Sequence, residues 1–231
     1  MDKENAFLKK ARFPGPMFPI ISIDGPAASG KSSVSREVAR HLGIIFASSG
    51  ELYRAVTWRA LEVGVTAESQ ETLSAFLLQM RISSQERAGK VVFLVNDQDS
   101  TPYLSEERVN RAVSLFSRLP KFRRALLPAL RDLGNHFSLV MEGRDIGSVV
   151  FPEIPYKFYL DASEAERQRR RGAQGIVDAI ANRDQLDTTR KTAPLIVPPG
   201  AHVLDTTDLT LEEVVKKVLN LLQCSHFPAS C

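Results

Sequence analysis

The chain has 231 residues, of which 43% are hydrophobic and 25% charged, with a formal net charge of +3. These proportions belong to a soluble globular protein and exclude a collagenous or wholly disordered chain, and the length suits one α/β domain with excursions. Apolar runs are broken by charge or glycine well before the roughly 18 residues a membrane span needs, while Cys224 and Cys231 are too sparse for a disulfide framework and too isolated for a metal site.

Residues 1–18, charged and punctuated by Pro14-Gly15-Pro16, read as a flexible leader. From Pro19 the pattern alternates: a strand at Ile20–Asp24, a helix from Lys31 to about Leu42, a strand at Ile44–Ala47 and a helix from about Gly50 to Val63. Such alternation predicts a parallel sheet covered by helices. Residues 65–105 break the rhythm with a helical stretch around Glu71–Met80, a strand at Lys90–Val95 and a turn-rich Asn96–Tyr103, and read as an inserted lobe. Helices at about Glu106–Phe116 and Pro120–Leu133 follow, then a strand at Ser138–Met141 running into Glu142-Gly143-Arg144-Asp145, and another at Lys157–Leu160. After an arginine-rich helix come a helix at about Ile176–Leu186, a proline-studded connection, a strand at His202–Leu204 and a closing helix at Leu211–Leu222. Thr210 with Glu213 three positions on has the form of a capping box. A flexible tail, 223–231, ends the chain.

Between the first strand and the first helix stands Gly25-Pro26-Ala27-Ala28-Ser29-Gly30-Lys31-Ser32, followed by Ser33, which fits G-x-x-x-x-G-K-S/T. The glycines let consecutive backbone amides turn inward on a polyphosphate, and the following helix presents its positive end to the same anion. Lys31 neutralises the β and γ oxygens, and the Ser32 hydroxyl is the candidate Mg²⁺ ligand. The fold expected is therefore a P-loop NTPase three-layer sandwich with a central parallel sheet. The loop alone does not say what receives the phosphate, although the chain lacks the N-K-x-D sequence that reads guanine.

Moving a phosphate onto another phosphate brings two polyanions together, which calls for guanidinium groups whose forks match phosphate geometry. Arg54 follows the second strand, Arg144 ends another, and Arg183 and Arg190 flank Asp187. An acceptor phosphate is already anionic near neutral pH, so no general base is needed. Arg167, Arg169, Arg170 and Arg171 fall within five positions, a run that is usually a solvated helix face.

In these elements the chain resembles the bacterial cytidylate kinases, from Ile20 to about Leu219. The likeness rests on the P-loop with Ser33, the Ser49-Gly50-x-x-Tyr53-Arg54 element, the Ser114 helix, Glu142-Gly143-Arg144-Asp145-Ile146-Gly147-Ser148-Val149-Val150-Phe151-Pro152, and Arg183-Asp184-x-x-Asp187-x-x-Arg190 before Ala193-Pro194-Leu195. The resemblance implies an ATP-dependent kinase acting on CMP, with dCMP accepted and UMP a poor acceptor. It implies a kinase domain over 19–222, with a monophosphate-binding insert at 65–105 and a mobile lid at 164–190. Residue by residue, Lys31, Arg144 and Arg183 would be catalytic, Arg54, Arg144 and Arg190 would grip the acceptor phosphate or lie next to it, and Ser49 and Tyr53 would bind the same substrate. Ser114, Arg123 and Asp145 would read the cytosine edge, and Asp187 and Arg183 the ribose hydroxyls and neighbouring phosphate. The expected partners are small-molecule nucleotides, with no nucleic acid or membrane, for a cytoplasmic monomer.

Departures from the pattern are Ser48 and Glu142 where the family usually has Asp, Ser105 where the insert often carries Arg, and Leu186 and Thr188 in place of lid arginines. Two rival readings remain. A kinase of a small-metabolite hydroxyl would need a base, with Asp24 and Asp145 as candidates; a nucleotide-dependent switch or RNA-binding module would use the arginine run.

Overall fold

The computed structural model describes residues 15–173 and 194–228. Its strands are β1 (Ile20–Asp24), β2 (Ile45–Ser48), β3 (Ile82–Arg87), β4 (Lys90–Val95), β5 (Gln98–Asp99), β6 (Leu139–Gly143), β7 (Tyr156–Asp161) and β8 (His202–Asp205). Its helices are α1 (Lys31–Leu42), α2 (Ser49–Glu62), α3 (Gln70–Gln79), α4 (Glu107–Phe116), α5 (Pro120–Asp132), α6 (Glu164–Ala173) and α7 (Leu211–Cys224). One sheet runs in the order β3-β4-β2-β6-β1-β7-β8, parallel from β4 to β8, with β5 pairing β4.

Alternate residues of the central strands feed opposite faces, because side chains in a strand alternate sides. Ile21 and Ile23 of β1, Val140 of β6 and Phe158 of β7 pack with Val34 and Val38 of α1 and with Val214 and Val218 of α7. On the other face, Leu139 and Met141 of β6 pack with Leu52 and Val56 of α2 and with Phe122 and Leu126 of α5. Each such buried side chain contributes on the order of 1.5–3 kcal/mol of hydrophobic free energy. The result is the three-layer α/β sandwich that the alternation of elements foretold.

The strand β3 is a correction to the sequence reading. Ile82 is the only apolar residue in Ile82-Ser83-Ser84-Gln85-Glu86-Arg87, so no period-two signal exists there. The segment is extended because it pairs antiparallel with the buried β4, from Ile82↔Val95 to Arg87↔Lys90. Ala88 (φ +51°) and Gly89 (φ +75°) make the two-residue turn, a pair of left-handed conformations that matches the twist of a tight hairpin. Asn96 and Asp97, at φ +52° and +63°, do the same between β4 and β5. The hairpin meets the parallel sheet through the Phe46↔Lys90 pair of β2 and β4, which makes the sheet mixed at that edge.

The capping box is formed: Glu213 N donates to Thr210 Oγ1 (3.2 Å), and Thr210 N donates to Glu213 Oε2 (2.8 Å). The helix expected at Ile176–Leu186 lies outside the described residues, as do Arg183, Asp187 and Arg190. No helix among the described residues is long and apolar enough to cross a membrane.

Candidate active site

The carboxyl ends of β1, β2 and β6 lie side by side, the edge at which parallel α/β sheets bind ligands. From β1 the chain enters the P-loop, where Gly25 (φ +152°), Ala28 (φ +59°) and Gly30 (φ +89°) take positive φ and carry the loop into the first turn of α1. No side chain fits at Gly25, since a Cβ there would stand 2.1 Å from the Leu160 carbonyl oxygen. Ala28 holds a left-handed conformation without a glycine's freedom, a local strain of about 1–2 kcal/mol. Lys31 is buried, and its Nζ donates to the Pro26 carbonyl at 2.8 Å, so the ammonium lies across the loop it serves.

A cleft of about 760 Å³ opens beside this loop. Its walls include Ala27, Ala28, Lys31 and Ser32 of the P-loop and, facing them, Ser49, Tyr53, Arg54, Ser114, Arg123, Arg144 and Asp145. Of the other sequence-predicted P-loop residues, Gly25, Pro26 and Ser29 are buried behind the loop, Gly30 caps α1, and Ser33 is exposed on α1.

The wall facing the P-loop is cationic. Arg144, just past β6, donates from Nη1 to the Gly25 carbonyl at 3.0 Å and so ties that wall to the start of the P-loop. Arg54, half-buried on α2, donates from Nη1 to the Gly50 carbonyl (3.1 Å) and from Nε to Asn110 Oδ1 (3.3 Å). Burial pushes the Arg54 guanidinium below its usual range; Glu142 and Glu51 oppose that shift, while Arg144 and Arg171 add to it. The Arg144 and Arg171 guanidinium groups therefore both act on Arg54, a field that a polyanion would relieve. Deeper in the cleft, Arg123 and Asp145 form a buried ion pair. Arg123 also donates to the Ser117 carbonyl (3.2 Å) and stacks over the Tyr53 ring at 5.1 Å.

A family model described as cytidylate kinase matches residues 21–224. The chain belongs to the cytidylate kinase family. Among curated relatives, the cytidylate kinase of Geobacillus kaustophilus is 38% identical, over 87% of this chain and 95% of that protein. That of Bdellovibrio bacteriovorus is 40% identical, over 88% of this chain and 97% of its own length.

Within this cytidylate kinase family member, the two strand-end departures meet each other. Ser48 and Glu142 are register partners of β2 and β6, and the Ser48 hydroxyl donates to the Glu142 carboxylate. Ser49 Oγ donates to the Glu142 carbonyl at 3.0 Å, so one acidic residue fixes both serines at the start of α2.

The arginine run divides between two faces of α6, contrary to its reading as a solvated face. Arg169 pairs with Glu166 at the surface. Arg167, Arg170 and Arg171 face inward: Arg167 Nη1 donates to the Ala27 carbonyl (3.4 Å), Arg170 donates to the Thr206 hydroxyl (3.1 Å) and carbonyl (2.6 Å), and buried Arg171 lines the cleft. Sequence reasoning missed Arg171, although the three- and four-residue spacing from Arg167 puts all three on one stripe. Asn110 was missed as well; nothing in its local sequence marks it, since its role depends on α4 packing beside α2.

Among the described residues no cluster of three or more His, Cys, Asp or Glu could hold a metal by itself. The donor at the loop is the exposed Ser32 hydroxyl, a hard oxygen ligand. That suits Mg²⁺, which keeps several waters and is bound largely through substrate phosphates.

Proposed function

We propose that this chain transfers the γ-phosphate of ATP to CMP, giving ADP and CDP. The observation that carries the reading is the placement, in one cleft, of the Lys31 loop against a wall bearing Arg54, Arg144 and the buried Arg123–Asp145 pair. Family membership supports the same acceptor.

In the reaction, a CMP phosphate oxygen forms a bond to the γ-phosphorus while the bond from that phosphorus to the β–γ bridging oxygen breaks, leaving its electron pair on ADP. Lys31 and the loop amides hold the donor's β and γ oxygens, and Arg54 and Arg144 hold the acceptor phosphate in line. Ser32 would hold Mg²⁺ at the loop, and the ion, when bound, would supply neutralisation of the γ-phosphoryl oxygens. The lid residues Arg183, Asp187 and Arg190 complete the phosphate and ribose contacts in this proposal. Asp145 accepts from the exocyclic amino group of cytosine, and Ser114 and Arg123 donate to its other edge atoms. UMP offers a carbonyl where CMP offers the amino group, so it opposes one acceptor to another and is a poor substrate, while dCMP keeps the amino group and is accepted.

Transfer to a hydroxyl is disfavoured by the same geometry. Both oxygens of Asp24 accept backbone amides, and Asp145 is ion-paired to Arg123 with its remaining acceptor capacity assigned to the cytosine amino group, so neither candidate base is placed to deprotonate an alcohol. The enzyme acts on small-molecule nucleotides, without nucleic acid or membrane, as a cytoplasmic monomer. A coupled ADP-release assay across the common nucleoside monophosphates tests the proposal. CMP and dCMP should turn over well and UMP poorly; preference for any purine nucleotide, or for an alcohol, would overturn it.

A further inference from the structure

Asp24 ends β1 immediately before the P-loop, is fully buried, and does not line the cleft. Its Oδ1 accepts from Ile146 N at 2.7 Å and its Oδ2 from Gly147 N at 2.8 Å. These amides open the single π-helical turn Ile146–Val150, which begins directly after Arg144 and Asp145. The turn can come this close because residue 147 is glycine: a Cβ there would stand 2.7 Å from Ser22 Oγ and 3.2 Å from Lys157 Cδ. One side chain thus bridges the P-loop's anchor strand and the turn that carries two residues of the acceptor wall.

Placing a carboxylate there is costly. Burial pushes Asp24 up to about 7, with the Gly147 and Ile146 amides opposing, Asp145 adding to the rise and Lys31 opposing it. Lys157 of β7 also lies within its field. A carboxylate is nevertheless the compact group that offers an acceptor to each of two adjacent amides; an asparagine would turn an N–H₂ toward one of them.

We propose that Asp24 is a positioning residue that locks the Arg144–Asp145 turn to the P-loop, so that acceptor and donor meet in register. The inference rests on the reading of Arg144 and Asp145 as acceptor contacts. Asp24 itself touches neither nucleotide and acts through the turn.

The test is steady-state kinetics of Asp24→Asn with CMP and ATP varied separately. Loss of one charge-assisted amide bond should raise KM for CMP about tenfold while KM for ATP stays within about threefold. Gly147→Ala, which pushes the turn off an intact Asp24, should give the same split and serves where Asp24→Asn does not fold. Equal rises in both KM values, a rise for ATP alone, or a fall in kcat with both KM values unchanged would overturn the assignment. Failure of both variants to fold would overturn it too, in favour of a purely structural role. A wild-type enzyme inactive on CMP would instead sink the proposed function, and this assignment with it; an active wild type whose variants keep its KM for CMP sinks the assignment alone.

Discussion

Asp145→Ala removes one partner of the Arg123–Asp145 pair, whose side chains are only 6% and 8% exposed. One-sided removal of a buried pair leaves a charge without compensation and costs about 3–5 kcal/mol. Here Arg123 keeps the Ser117 carbonyl and the Tyr53 ring, so the lower end, about 3 kcal/mol, is expected. The double-mutant cycle with Arg123→Ala isolates the pair itself, and contact of this kind should give a coupling of about 2–3 kcal/mol. Urea unfolding at pH 7.5 reads both quantities. In the proposed base contact the same substitution also withdraws the acceptor of the cytosine amino group, so KM for CMP should rise about 10- to 100-fold while KM for ATP changes little. A coupling below about 1 kcal/mol would show that Arg123 and Asp145 do not hold each other in the fold, and matching changes in both KM values would remove Asp145 from the base contact.

Gly25→Ala should abolish ATP binding, because the added Cβ would meet the Leu160 carbonyl oxygen, an atom fixed within β7, at 2.1 Å; fluorescence titration with a labelled ATP analogue measures it. Stability should carry the signature of Asp24. Its carboxyl titrates near 7 in the fold, against about 3.9 in an unfolded chain. The native state therefore binds the extra proton between those values, and the group's contribution is full at about pH 4, declines as pH rises to about 7 and is flat above. A displacement of about three pH units at about 1.4 kcal/mol each bounds the loss at about 4 kcal/mol. Denaturant unfolding at pH 4.5 and 8 should show Asp24→Asn lacking this decline.

Legibility tracked how local the physics is. The P-loop and its flanking strand and helix were readable because glycine placement, the lysine and the apolar run all lie within one short stretch. The hairpin strand β3 was not, because its residues are polar and its conformation is imposed by a distant buried partner, β4. In the site, Arg54 and Arg144 could be singled out from their places after strands. What could not be read was their coupling: that Arg144 reaches back to Gly25, that Arg123 and Asp145 neutralise each other, or that Ser48 and Glu142 form one unit. Those contacts join residues 94 positions apart for Ser48 and Glu142 and 119 apart for Gly25 and Arg144, and only sheet order brings them together.

In the proposed reaction one wall of the cleft holds the donor and the other the acceptor. Calorimetric titration of CMP and of a non-hydrolysable ATP analogue into Lys31→Ala and Arg54→Ala separates the two walls. Lys31→Ala should weaken the ATP analogue at least about tenfold and leave CMP within about threefold, and Arg54→Ala should do the reverse. Equal losses for both ligands in both variants, or no loss of CMP binding in Arg54→Ala, would contradict the division of the site.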